Sequence, residues 1–140
     1  MSGIINSAGS KSGVIGTTEL DYEEGTFTPT NNGTGWSNSA TTSNTYVKIG
    51  KSVTCYMYLQ LTSGSATNMI VDDLPFTSGS EGYSSSSAIN HGTSVTFPCH
   101  FRMNGSSDQM NLVRSDSGTA PYADNFNGTH AIFSITYKVA

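Results

Sequence analysis

Between Ser52 and Leu61 the chain alternates without a break between apolar and polar side chains. Val53, Cys55, Met57, Leu59 and Leu61 fall in one phase, and Thr54, Tyr56, Tyr58 and Gln60 in the other. Successive side chains of an extended backbone point to opposite faces, whereas a helix would scatter this pattern around its circumference. The segment therefore predicts a half-buried strand. The same alternation recurs at Val95, Phe97, Cys99, Phe101 and Met103, and at Ala131, Phe133, Ile135, Tyr137 and Val139. Apolar faces of this kind are stable only when a second layer covers them.

Shorter strand-like segments lie between these three, at Thr26–Thr30, Thr45–Gly50, Asn68–Val71 and Gln109–Arg114. Turn signals separate them, with Gly50-Lys51 after one and Asn104-Gly105 before another. Pro29 and Pro98 cannot donate to a ladder, so each marks an edge strand or a strand end. Composition agrees: 22 Ser, 18 Thr, 15 Gly and 11 Asn make up nearly half of the 140 residues. Strong helix formers are scarce, and no strand–helix alternation suggests a parallel sheet. The expectation is an all-β, antiparallel β-sandwich of seven or eight short strands, jelly-roll-like, spanning residues 21–140.

Several functions are disfavoured by the same sequence. Only 11% of residues are charged, the net charge is −4, and six Lys and Arg are too few for phosphate-driven nucleic-acid binding. No apolar run approaches the ~20 residues of a membrane helix, and the first 16 residues lack the charged and apolar regions of a secretion signal. Cys55 and Cys99 both fall in the apolar phase of a strand and are expected as buried thiols rather than a disulfide. No CxxC or HxxxH spacing is present, so no metal or other cofactor is expected.

Catalysis is not expected either. His91, His100 and His130 are dispersed, and no G-x-S-x-G elbow occurs. Glu23-Glu24 and Asp72-Asp73 are the densest carboxylates, but neighbours on a strand point to opposite faces and do not converge on one substrate. The cluster Asp21-Tyr-Glu-Glu24 reads as a solvated lead-in to the first strand. Asn-Gly-Ser/Thr triplets starting at Asn32, Asn104 and Asn127 read as turns, because Asn-Gly tolerates the positive φ of tight hairpins.

The aromatic residues point to surfaces. Tyr56 and Tyr58 lie on the polar face of the clearest strand, which suits a subunit interface. Trp36, Tyr83 and Tyr122 fall in Ser/Asn-rich loops, where they are either ligand-contacting or half-buried. Residues 1–20 are built of small residues with two apolar pairs, Ile4-Ile5 and Val14-Ile15. A solubilising tail has no need of such pairs. The segment reads as an extended arm that anchors on a neighbour, with a reach on the order of 60 Å.

Three strings carry a resemblance. Asp21-Tyr-Glu-Glu-Gly-Thr-Phe-Thr-Pro-Thr30, Tyr46-Val-Lys-Ile-Gly-Lys-Ser-Val53 and Leu74-Pro-Phe76 resemble, in order and spacing, motifs of tailed-bacteriophage virion proteins. The stretch from Gly3 to Gly16 is similar to the start of several short phage proteins. The resemblance covers most of residues 3–76. It implies a virion structural protein with a trimeric β-sandwich head, transfers no catalytic residue, and leaves two locations open. The chain opens on Met1 with only a short arm ahead of the sandwich, which reads as a complete small protein that docks directly. On that reading it decorates and cements the capsid exterior, assembling in the host cytoplasm. Its partners are the major capsid protein and copies of itself, and Ile4, Ile5, Val14 and Ile15 are its anchors. The alternative is a tail-fibre or receptor-binding module that recognises a host surface glycan.

Overall fold

A computed structural model describes residues 21–32, 36–38, 43–61, 70–81, 84–86, 99–115, 117 and 130–140. The described residues form strands, turns and bends with no helix. In chain order the strands are β1 (Tyr22–Phe27), β2 (Thr30–Asn31), β3 (Trp36–Asn38), β4 (Asn44–Ile49) and β5 (Ser52–Leu61), then β6 (Ile70–Asp72), β7 (Cys99–Met103), β8 (Met110–Arg114) and β9 (His130–Lys138).

Every pairing is antiparallel, and the strands make two sheets. In the first, β1 pairs β4, β4 pairs β5, and β5 pairs β9 from Ser52↔Lys138 to Gln60↔His130. A strand has only two edges. With β9 filling one edge of β5, β4 and β3 share the other, β4 against Ser52–Tyr56 and β3 against Leu59–Leu61. The N–H of Tyr58 falls in the gap between them, and the buried Asn44 side chain accepts it at 2.9 Å. The second sheet runs β2-β6-β8-β7.

The alternation read from the sequence sets the packing. Val53, Cys55, Met57, Leu59, Ala131, Phe133, Ile135 and Tyr137 from one sheet meet Val71, Cys99, Phe101, Met103, Met110 and Leu112 from the other in one buried cluster. Phe101 and Phe133 stack across the two layers, with centroids 4.4 Å apart and planes at 18°. Two antiparallel sheets packed face to face agree with the all-β sandwich expected from the sequence.

Both sides of the sandwich are joined by backbone. On one side the chain leaves β1, passes Pro29, and enters β2 in the opposite sheet. The strand expected at Thr26–Thr30 is thus two strands in two sheets. On the other side residues 78–81 and 84–86 lace the sheet edges together. Gly79 N–H donates to Lys138 O, and Ser84 Oγ donates to Thr136 O, both on β9. Met103 N–H donates to Ser84 O and Ser86 N–H to Phe101 O, both on β7. A segment expected to be a polar loop is therefore an edge cover, which is how sheets avoid adventitious pairing.

Two turn expectations divide. Gly50 takes φ +57° between β4 and β5, the left-handed conformation that favours glycine. In the β7–β8 hairpin, the positive φ belongs to Ser106 (+53°), not to Asn104 or Gly105. Asn104 N–H donates to Gln109 O at 3.0 Å, so the hairpin loop expected at Asn104–Asp108 is present and closes over four residues, 105–108.

Cys55 and Cys99 are buried free thiols, as expected. Burial pushes their pKa up from 9.0, to about 12 for Cys55 and about 11 for Cys99. Tyr137, whose hydroxyl donates to Phe76 O at 3.0 Å, is also shifted upward, chiefly by burial. The folded state holds these protons more tightly than the unfolded chain. Stability is therefore intact below about pH 9 and falls as pH climbs from there towards the folded values. At pH 8 the native thiols should react with a disulfide reagent at least roughly a hundredfold more slowly than in urea. Labelling at equal rates in both conditions would contradict the buried placement.

Candidate functional site

The three strings that carry the family resemblance meet at the β1 margin of the first sheet. Register sets Glu23 opposite Lys48, Gly25 opposite Tyr46 and Phe27 opposite Asn44. Asp21 accepts a salt bridge from Lys48 Nζ at 2.5 Å, and Glu23 Oε1 accepts the Tyr46 hydroxyl at 2.7 Å. To reach Glu23 the Tyr46 ring lies across Gly25. A Cβ there would come within 2.9 Å of the ring and its hydroxyl, so only glycine fits beneath it. The same ring makes edge contacts with Phe27 at 6.4 Å and Phe76 at 5.3 Å. Lys48 Nζ stands 5.8 Å from the Phe76 ring centre, and its side chain is only 13% exposed. Glu23, by accepting the hydroxyl, pushes the Tyr46 phenol above its ordinary value of 10.0.

This cluster corrects the reading of the acidic run. Glu23 and Glu24 are not a lead-in but lie inside β1, on opposite faces. Glu24 turns outward and accepts the Tyr22 hydroxyl at 2.5 Å. The motif fastens an edge strand, and its polar atoms are used by one another.

Asp72, Asp73 and Asp108 come together with their carboxylates within 4.8 Å of one another. Thr30, Asn32 and Gln109 already donate to them: Thr30 to Asp73 at 2.7 Å, and Asn32 and Gln109 to Asp72 at 3.0 and 2.9 Å. Through these bonds Asp72 and Asp73 tie the end of β6 to residues 30–32 and to Gln109, just before β8. His100 Nδ1 lies 2.8 Å from Ser115 Oγ. Among the described residues no carboxylate completes a triad with that pair.

What stands open is the outer face of the five-stranded sheet. Its side chains lie in cross-strand rows: Tyr22, Ile49, Ser52 and Lys138; then Glu24, Val47, Thr54 and Thr136; then Thr26, Thr45, Tyr56 and Ser134. Tyr58 with Ile132, and Gln60 with His130, continue it along β5 and β9. Tyr22, Ile49, Tyr56 and Ile132 are 54%, 49%, 52% and 47% exposed, and all four lie on this face. Thr54 and Thr136 share a 2.8 Å hydroxyl hydrogen bond, and Tyr58 and His130 lie ring to ring at 5.1 Å.

The expected interface residues Tyr56 and Tyr58 both belong to this face. Tyr22, Ile49 and Ile132 were not singled out by sequence, although Ile49 and Ile132 are out of phase with the buried residues around them. Trp36 lies in β3, paired with Leu61, rather than in a loop. Ile4, Ile5, Val14, Ile15, Tyr83 and Tyr122 lie outside the described residues. Comparison with known proteins finds no matching family model, no matching curated protein and no matching solved structure.

Proposed function

We propose that this chain is a structural protein of a tailed-bacteriophage virion, one that decorates the capsid and cements it by non-covalent bridging of capsid subunits. The jelly-roll-like sandwich is the head, and residues 1–20 are the anchoring arm, with Ile4, Ile5, Val14 and Ile15 as its contacts. The observation that carries this reading is the interlock of Asp21, Glu23, Gly25, Tyr46, Lys48 and Phe76. The strings most similar to virion proteins spend their polar groups on one another and hold a sheet margin rigid, which suits a scaffold better than a reaction centre. Function then rests on surfaces. Weak contacts repeated over a shell and joined within an oligomer add up through effective concentration.

Deleting residues 2–16 tests the reading directly. The shortened protein should keep its β-sheet circular dichroism and lose co-sedimentation with purified capsids by on the order of a hundredfold. Undiminished binding would overturn the arm as anchor. Binding to host surface glycan, with none to capsids, would move the protein to the tail as a receptor-binding module.

A further inference from the structure

We propose that copies of this chain associate through the outer face of the five-stranded sheet, with the β1 margin of one copy lying against the β9 margin of the next. With six residues each on β1 and β4, ten on β5 and nine on β9, at ~3.4 Å rise and ~4.8 Å spacing, the face covers roughly 500 Å². Counted on two copies it reaches about 1,000 Å², the size a specific interface has to clear.

The pattern of charge points to a second copy rather than to an oppositely charged partner. On the face, β4 and β5 contribute Thr45, Val47, Ile49, Ser52, Thr54, Tyr56, Tyr58 and Gln60, none of them charged. A chain with net charge −4 meets itself at least cost through such a surface. An acidic or basic partner would gain nothing from it. The face's two charged groups sit at opposite margins and have opposite signs, Glu24 on β1 and Lys138 on β9. They lie in adjacent rows, so β1 laid against a neighbour's β9 brings Glu24 within one row of Lys138 and never sets like charges together. A two-fold stack and a closed ring both satisfy this pairing. Small Thr and Ser side chains between Tyr22, Ile49, Tyr56 and Ile132 leave the relief that opposed sheets need to interdigitate at about 10 Å.

The inference stands on the fold alone, and purified full-length protein tests it without capsids. Size-exclusion chromatography with light scattering at about 100 µM, a level at which micromolar association is complete, should give a multiple of 14.8 kDa. Ile49→Asp and Tyr56→Glu should each return the mass to that of a single chain with unchanged circular dichroism. Glu24→Lys alone should weaken association by up to about fivefold, and Glu24→Lys with Lys138→Glu should restore it, because every copy then carries both exchanged margins. Hydroxyl-radical labelling of the unaltered protein provides a readout independent of any variant's folding. Tyr22 and Tyr56 should become protected as concentration rises. A single-chain mass at 100 µM would overturn the proposal. So would an oligomer in which Tyr22 and Tyr56 stay as reactive as in dilute protein.

Discussion

Replacing Phe101 with alanine is expected to destabilise the fold by about 3–5 kcal/mol. The side chain is fully buried, and its ring stacks on Phe133 from the facing sheet at 4.4 Å. Removing it deletes both the transferred apolar surface and the contact that spans the two layers. Leu59, Met103, Met110 and Leu112 are themselves fully buried and have little freedom to collapse into the space. Against a typical stability of about 5–15 kcal/mol, the loss takes a large share, and the melting temperature should fall by on the order of 10–15 °C. Phe101→Leu, which keeps most of the volume, should cost under about 1.5 kcal/mol. Equal effects of the two substitutions in a denaturant titration would mean that the stack does not hold the layers together.

The second large effect is expected at Tyr46. Tyr46→Ala removes the ring that touches Phe27 and Phe76, covers Gly25 and donates to Glu23. The ring is half-buried, so the expected loss is about 2–3 kcal/mol, below that of a full core aromatic. Tyr46→Phe retains the ring and should lose under about 1 kcal/mol. The more telling readout is local. Gly50 N–H donates to Asp21 O, so Asp21, Glu23, Gly25 and Phe27 present their backbone groups to β4. In Tyr46→Ala, amide hydrogens of Glu23, Gly25 and Phe27 should exchange faster while those of β5 and β9 keep their protection. Uniform acceleration across the sheet would show that Tyr46 belongs to the global core instead of fastening one margin.

Much of this fold can be read from the chain because two-residue periodicity is a local property. The bounds of β5, the faces of β7 and β9, and the burial of both cysteines follow from it. Where residues act through partners distant in sequence, the chain gives little warning. Glu23, Glu24 and Gly25 are poor strand formers, yet β4 supplies Lys48 and Tyr46 to receive them, and tertiary pairing overrides propensity. The edge cover at 78–81 and 84–86 works through backbone groups and short serine hydroxyls, which leave no apolar periodicity to detect. Asp108 joins Asp72 and Asp73 only because β8, which it precedes, pairs beside β6 in the second sheet. The candidate face was visible in part, through Tyr56 and Tyr58. Its extent depends on the register of four strands, and register is not written in any one of them.

The longest ladder has a consequence for how the chain is made. β5 and β9 pair along nine residues, yet some seventy residues of chain separate them. Closing that loop precedes any reward from the contacts, so the central pairing of the first sheet forms late. Until β9 has been made, β5 carries a bare edge, and Met57 and Leu59 lack Phe133 and Ala131 beside them. Premature chain ends upstream of β9 therefore yield sticky fragments rather than smaller folded sandwiches. Only a chain translated through residue 138 can form the full nine-pair ladder that completes the β5 edge.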